Sequence, residues 1–213
     1  MKLKGILLLT ITAIVWGLGF VAQSEGMEYV GSFTFTCVRS VIGGLVLIPF
    51  IRIREKEPEH KQIRIRDVIP AGICCGVVLA VAQNLQQIGI KYTEVGKAGF
   101  ITAMYIVLVP ILGIFARKKT AVFVWIGVAF AVIGLYFLNI TAAGSGRVEW
   151  SLGIGEVMVL LCAVFIAIQI LTVDHFLMTT DAVKLACVQF FVCGIVSGIG
   201  MCAEFIIQVL AGD

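Results

Sequence analysis

Residues 68–90 read VIPAGICCGVVLAVAQNLQQIGI, a run of 23 positions without a charged side chain between Asp67 and Lys91. A helix needs about 20 mostly apolar residues to cross the ~30 Å hydrocarbon core of a bilayer. The strands of a membrane barrel alternate in polarity over only about 10 residues. This continuous run therefore predicts one transmembrane helix.

Six further apolar runs of similar length lie on either side of this one. The chain is 60% hydrophobic and 14% charged, whereas a soluble domain carries about 25% charged residues. This composition excludes a soluble globular protein and a disordered one. The sequence predicts an all-α polytopic membrane bundle with seven spans, near residues 5–24, 30–51, 69–90, 97–116, 121–141, 153–173 and 184–203.

The basic residues are distributed unevenly among the predicted loops. With the N-terminus inside, the inside segments hold twelve of them, and the outside segments hold only Lys91, Lys97 and Arg147. Cytoplasmic loops carry the excess of Lys and Arg, so the N-terminus is predicted to be cytoplasmic and the protein to lie in the inner or plasma membrane. A dispersed net charge of +3 predicts no nucleic-acid partner.

The sequence aligned with itself at a shift of 150 residues superimposes spans one and two on spans six and seven. Five spans per repeat is an odd number, so the second copy enters the membrane inverted, as in many secondary transporters. The predicted domains are a five-helix repeat, 1–141, and the first two helices of an inverted repeat, 142–213. Two full repeats would need ten helices. The identical pairs include Gly5 and Gly155, Ala13 and Ala163, Cys37 and Cys187, Val38 and Val188, Gly44 and Gly194, and Val46 and Val196.

Several short motifs follow one another along the chain. They are Trp16-Gly17 with Phe20, Arg39, residues 89–100 (GIKYTEVGKAGF) followed by Pro110, Trp125-Ile-Gly127, Gly134-Leu-Tyr136 and Gly155-Glu156. In their order and spacing these motifs resemble the EamA-type transporters of the drug/metabolite transporter superfamily. This resemblance implies two inverted five-helix repeats, of which the last three helices are not seen here. It also implies a carrier that exports or exchanges small metabolites, such as amino acids, by alternating access.

Arg39 is the one charged residue deep within a predicted span. It lies about 11 residues from the outer end of its apolar run, roughly 15 Å down the helix. An ionisable group in hydrocarbon is costly and normally faces a cavity or a partner. Arg39 is therefore either a cation that attracts a substrate carboxylate or phosphate, or a group that binds backbone carbonyls and holds helices together. Its repeat counterpart is Gln189, another long polar residue.

Amide side chains cluster on the outer half of the third span. Gln83 and Gln87, four residues apart, share a face with Asn84 beside them, whereas Gln86 points elsewhere. Amides donate and accept hydrogen bonds without carrying charge, which suits a polar or zwitterionic solute. The alternative is that they join helices to each other.

Trp16, Tyr105 and Gln169 complete the predicted substrate-binding lining, although for Trp16 packing or lipid contact is the simpler interpretation. Pro110 lies in the same span as Tyr105 and removes the hydrogen bond to the carbonyl of Ile106. A kink is therefore expected there, which is a candidate gating feature.

Neither catalysis nor a cofactor is expected from this sequence. The seven cysteines fall in or at the ends of spans without a Cys-x-x-Cys pair, and no histidine lies within a span, so no metal site is predicted. Two hypotheses remain open. The first is a small-molecule carrier in the lipid bilayer, and the second is a non-transporting subunit that pairs with a second copy or another partner to complete a bundle.

Overall fold

The computed structural model of the chain describes residues 2–56, 63–115, 122–142 and 153–211. Several basic residues used in the orientation prediction lie outside these ranges, namely Lys61, Arg117, Lys118, Lys119 and Arg147. Within the described ranges the chain is helical and contains no strand. The helices are α1 (Lys2–Gly26), α2 (Ser32–Arg54), α3 (Ile65–Lys91), α4 (Val95–Ala103), α5 (Tyr105–Phe115), α6 (Val122–Ala142), α7 (Ile154–Leu177) and α8 (Ala182–Ala211).

The helices coincide with the predicted spans, and several of them extend further. α8, for example, continues past residue 203 to Ala211, because a helix can persist beyond the hydrocarbon region that the apolar run measures. Among the described residues, six stretches are long and apolar enough to cross a membrane, with α4 and α5 forming one of them together, and α6 has a shorter apolar part, Val122–Gly134. The chain is therefore a polytopic helical bundle, which confirms the predicted fold class.

The fourth predicted span is divided into α4 and α5 at Met104. The backbone N–H of Met104 donates to the carbonyl of Ile101 at 3.1 Å, and the N–H of Val107 donates to the carbonyl of Met104 at 3.0 Å. These i to i−3 bonds form a short 3₁₀ turn, which is common where a helix is interrupted. The break lies two residues before Ile106, the residue whose carbonyl Pro110 leaves without its usual donor.

α3 occupies the centre of the bundle. It packs along α7 and α8, while α2 covers α8 and both α4 and α5 lie against α7. Apolar clusters hold α3 near both of its ends: Val68 packs with Leu185 of α8, and Ile90 packs with Ala98 of α4 and Val159 of α7. The polar residues of α3 lie between these two clusters.

α3 and α7 cross at two glycines. A Cβ atom placed on Gly155 would lie 2.7 Å from the carbonyl carbon of Tyr92 and 3.0 Å from the carbonyl oxygen of Gly89. Small residues let membrane helices approach closely where packing, rather than water, drives association. Only glycine fits at this crossing, because the atoms it faces belong to the backbone.

The contacts between α2 and α8 come in reciprocal pairs. Gly44 of α2 packs on the ring of Phe191 in α8. Gly194 of α8 packs on the side chain of Val41 in α2. Residues 191 and 194 are the counterparts of residues 41 and 44 at the shift of 150 residues. Replacing each residue by its counterpart therefore turns either contact into the other.

Two further pairs of contacts follow the same rule. Ser40 donates to Cys193 Sγ at 3.3 Å, and its reciprocal is the contact of Gly43 with the ring of Phe190. The Cys187 thiol donates to the carbonyl of Gly44 at 3.5 Å. The reciprocal of that bond places Gly194 near the carbonyl of Cys37. The contacts between α2 and α8 thus follow a local twofold symmetry that exchanges the two helices.

Candidate functional site

Four amide side chains of α3, at positions 83, 84, 86 and 87, contact four different helices. Successive residues of an α-helix point about 100° apart, so five consecutive positions cover the whole circumference. Gln83 faces α2, where its Oε1 accepts a hydrogen bond from the Arg39 guanidinium. Both side chains are partly buried. The structure therefore brings together two of the predicted site residues.

Asn84 faces α8. Its Nδ2 donates to Ser197 Oγ at 2.8 Å and also to the carbonyl of Ala80 at 2.8 Å. Ser197 is fully buried, and Asn84 is 7% exposed. Asn84 Oδ1 is buried without a hydrogen-bond partner among the described residues.

Gln86 and Gln87 face α4 and α1. Gln86 Nε2 donates to Thr102 Oγ1 at 3.3 Å, and Gln87 Nε2 donates to the backbone carbonyl of Gln23 at 3.3 Å. The Gln23 Oε1 atom is likewise buried without a partner among the described residues. These contacts show that Gln83 and Gln87, which the sequence analysis places on one face, bind different neighbours.

The Asn84–Ser197 hydrogen bond should contribute measurably to stability. We expect a double-mutant cycle of Asn84→Ala and Ser197→Ala, followed by unfolding in detergent, to give a coupling free energy of about 0.6–2 kcal/mol, the range of interhelical hydrogen bonds in membranes. Thr10→Ala is the control, since this exposed side chain bonds only to the carbonyl of Ile6 within its own helix. Additive effects of the two alanines would show that the bond contributes nothing.

Arg39 lies seven residues into α2, about 10 Å below its first residue at 1.5 Å per residue. Residues 27–30, before α2, form a turn and a bend. Arg39 borders an open groove of about 350 Å³ along one side of α2. Apart from Arg39, the residues lining the groove are Val30, Thr34, Phe35, Val38 and Ile42.

The remaining predicted site residues make contacts other than the Arg39–Gln83 hydrogen bond. Gln169 of α7 donates to Gln189 of α8 at 3.0 Å, which forms a second polar pair in the bundle. Tyr105 is partly buried and begins α5, directly after the break at Met104. Trp16 lies on α1 and is 56% exposed.

An ion pair joins the first turn of α4 to the beginning of α7, and a hydrogen bond to the same carboxylate comes from the α3–α4 connection. Glu156 Oε1 lies 2.8 Å from Lys97 Nζ and accepts a hydrogen bond of 2.8 Å from Thr93 Oγ1. Glu156 is in the first turn of its helix, where the helix dipole stabilises a negative charge. This pair fastens one end of the bundle beside the Gly89–Gly155 crossing.

A buried lysine joins the elements at the opposite end of the bundle. Lys184 is 3% exposed, and its Nζ lies 2.6 Å from Glu55 Oε1 and donates to the carbonyl of Ile63 at 2.7 Å. These contacts link the beginning of α8 to the chain between α2 and α3. Both ends of the bundle are therefore held by an ion pair between the two predicted repeats.

The contacts of Gln23, Thr102 and the Glu156–Lys97 pair are not predicted by the sequence. Polar residues near the ends of the spans are the only signal for them. Spacing along one helix does not reveal which neighbouring helix a side chain contacts. Among the described residues, no group of three or more His, Cys, Asp or Glu side chains is placed to hold a metal ion.

The apolar helices and the amides directed inward from α3 define the class as a polytopic membrane protein with polar groups in its interior. The family model of the EamA-like transporter family matches residues 3–140. The chain belongs to this family.

One curated relative is an uncharacterized transporter of Archaeoglobus fulgidus, 28% identical over 195 residues. The match covers 89% of this chain and 55% of the relative, so the chain spans about half the length of the relative it matches. No solved structure matches the chain significantly.

Proposed function

We propose that the protein is part of an inner-membrane carrier that exports or exchanges small polar or anionic metabolites, such as amino acids, by alternating access. Family membership supports transport, and the site residues support the type of solute. In this proposal the chain consists of one five-helix repeat, 1–141, and the first two helices of an inverted repeat. The reciprocal α2–α8 contacts support this division.

The proposed orientation has the N-terminus in the cytoplasm. The Lys184–Glu55 end then faces the cytoplasm, and the Glu156–Lys97 end faces outward. The predicted cytoplasmic excess of Lys and Arg supports this orientation. It places Arg39 in the outer half of the membrane, with its groove on the outward side.

The observation that carries the proposal is the position of Arg39. It is a cation within a membrane span, bonded to a neutral amide, Gln83, and bordering a groove. Guanidinium groups bind carboxylates in a bidentate manner.

The proposal is tested by transport into liposomes that contain the purified protein. The liposomes are loaded with a panel of unlabelled amino acids and other small anions, and the entry of each labelled solute is followed. We expect exchange of at least one anionic or zwitterionic solute above that of liposomes without protein, and no exchange of an amine that lacks a carboxylate.

The alternative function is a non-transporting subunit that completes a bundle with a second copy or another chain. All the residues that line the groove beside Arg39 belong to α2 or to the turn before it, so the groove has one wall among the described residues, which favours this candidate. A second set of liposomes should therefore contain the chain together with the part of the Archaeoglobus relative that the chain does not match. Exchange in this second set alone would establish the subunit, whereas no exchange in either set would reject transport through this site.

A further inference from the structure

One short motif occurs twice in the chain, on either side of the connection between α2 and α3. Residues 51–55 read IRIRE, and residues 63–67 read IRIRD. The first copy ends α2, and the second copy begins α3. Both copies therefore lie at the end of the bundle where Lys184 pairs with Glu55.

The two copies have the same pattern of burial. The first isoleucine of each copy faces the interior: Ile51 is 8% exposed, and Ile63 packs on the apolar cluster near the beginning of α3. The second isoleucine of each copy faces outward, with Ile53 62% exposed and Ile65 50% exposed. The arginines at positions 52, 54, 64 and 66 are all exposed. Each copy therefore presents two basic groups with an apolar side chain between them.

The ammonium group of Lys184 brings the two copies together. Its Nζ lies 2.6 Å from Oε1 of Glu55 in the first copy and donates to the carbonyl of Ile63 in the second copy at 2.7 Å. Two groups that contact the same nitrogen atom lie close to each other, so the two copies form one surface. We call residues 52–54 and 64–66 together the basic surface.

The acidic residues of the motif do not neutralise the arginines. Glu55 is paired with Lys184. Asp67 lies in the first turn of α3, where the helix dipole stabilises a negative charge. Among the described residues, no ion pair joins an arginine of the basic surface to a carboxylate. The basic surface therefore carries an excess of positive charge, which an anion would complement.

Neither helix stability nor membrane orientation accounts for the whole arrangement. Arg64 and Arg66 lie at the N-terminal end of α3, where the helix dipole disfavours cations. Orientation depends on the number of basic residues in a loop, and it requires neither a repeated order nor exposed isoleucines between the arginines. An anionic ligand that also has an apolar part would contact both kinds of side chain.

We propose that the basic surface binds the headgroup of an anionic phospholipid with two phosphates, of the cardiolipin class, with one phosphate at each copy of the motif. Guanidinium groups bind phosphate through two parallel hydrogen bonds. Basic residues next to a transmembrane helix attract anionic lipid headgroups. Because the motif is repeated and its two copies adjoin, a headgroup with two phosphates can occupy both copies at once.

Exposed apolar side chains next to the basic surface favour a lipid over a soluble phosphate compound. Phe50 precedes Ile53 by three residues on α2, and Ile69 follows Ile65 by four residues on α3, so each pair shares a helix face. Phe50 is 57% exposed, and Ile69 is 40% exposed. The acyl chains of a bound lipid can lie along these faces, whereas a soluble phosphate compound gains nothing from them.

The test measures lipid binding to the purified, delipidated protein in detergent by native mass spectrometry. The unmodified protein should bind cardiolipin about tenfold more tightly than phosphatidylglycerol when the two are compared at equal phosphate concentration. Arg52→Gln with Arg54→Gln removes the charge of the first copy, and Arg64→Gln with Arg66→Gln removes that of the second. Each double variant should bind cardiolipin about tenfold more weakly and lose the preference over phosphatidylglycerol, because one phosphate has lost its partners.

Two controls separate this site from general charge effects and from a soluble ligand. Lys2→Gln with Lys4→Gln removes the same charge at the beginning of α1, outside the basic surface, and should leave cardiolipin binding unchanged. Inorganic pyrophosphate has two phosphates and no acyl chain, so it should not displace cardiolipin at equal concentration. Equal loss in the lysine control, equal binding of the two lipids by the unmodified protein, or displacement by pyrophosphate would each overturn the proposal.

A second measurement compares each variant with itself, so that a change in its own stability does not affect the result. Cardiolipin should raise the melting temperature of the unmodified protein and of the lysine control, since a ligand that binds the folded state stabilises it. It should not raise the melting temperature of the variant in which all four arginines are replaced by glutamine. An equal rise in that variant contradicts the proposal. Neither readout depends on solute transport, so failure of the lipid proposal is distinguishable from failure of the transport proposal.

Discussion

Gly155→Ala should greatly lower the amount of folded protein in the membrane. The new methyl group would meet the carbonyl carbon of Tyr92 at 2.7 Å and its oxygen at 2.8 Å, and backbone atoms within a helix crossing cannot move aside cheaply. Overpacking of a well-packed interior typically costs about 1–3 kcal/mol and occasionally more. We expect a value at the upper end of this range, because α3 and α7 must separate along the length of their contact.

The measurement is the yield and melting temperature of the protein after extraction in detergent. Gly127→Ala is the matched control, since nothing lies within 4 Å of a Cβ atom at this position of α6. Alanine in an open helical position stabilises a helix by roughly 0.5–1 kcal/mol relative to glycine, so the control should melt at the same or a slightly higher temperature. Equal yields of the two variants would show that the crossing tolerates a wider separation.

Arg39→Ala should abolish transport of anionic and zwitterionic solutes while most of the protein remains folded. A hydrogen bond to a charged group contributes about 1.5–3 kcal/mol, which corresponds to a loss of roughly 10- to 150-fold in binding at 1.4 kcal/mol per factor of ten. Gln83 remains partly buried and neutral, so the loss of its partner should affect stability less than transport.

Initial exchange rates in liposomes, compared at equal amounts of folded protein, measure this effect. Arg39→Lys keeps the charge but loses the planar guanidinium, so it should retain part of the activity. If Arg39 only joins helices, Arg39→Met should lower the melting temperature and reduce exchange of all solutes to the same extent. Unchanged uptake of anionic solutes in Arg39→Ala would rule out the binding role.

The helical fold and the approximate positions of the helices could be predicted because the bilayer imposes a simple length requirement on an uncharged run. The break at Met104 could not be predicted at its position. Pro110 indicates that the span is interrupted, but the residue at which the helix gives way depends on the packing of α4 and α5 against α7. The ends of α8 were also missed, since a helix can continue into the headgroup region.

The residues of the candidate site could be selected from the sequence, but their contacts could not be predicted. Arg39 and Gln83 are conspicuous because charged and amide groups are rare in an apolar run, and the structure pairs them. Spacing alone suggested that Gln87 shares their surroundings, yet it binds the carbonyl of Gln23 on α1. Which neighbour an amide meets is set by the packing of all the helices, and this information is not local to α3.

The faces that α2 and α8 present to each other are equivalent, because each contact has a reciprocal contact at a shift of 150 residues along the chain. A single repeat inserted in both orientations would already possess this interface, in the form of an antiparallel homodimer. In such a dimer every substitution in α2 would act twice, once on each side of the axis. In the two-repeat division proposed above, the copies are joined in one polypeptide, which removes that constraint and allows Arg39 to differ from its counterpart Gln189.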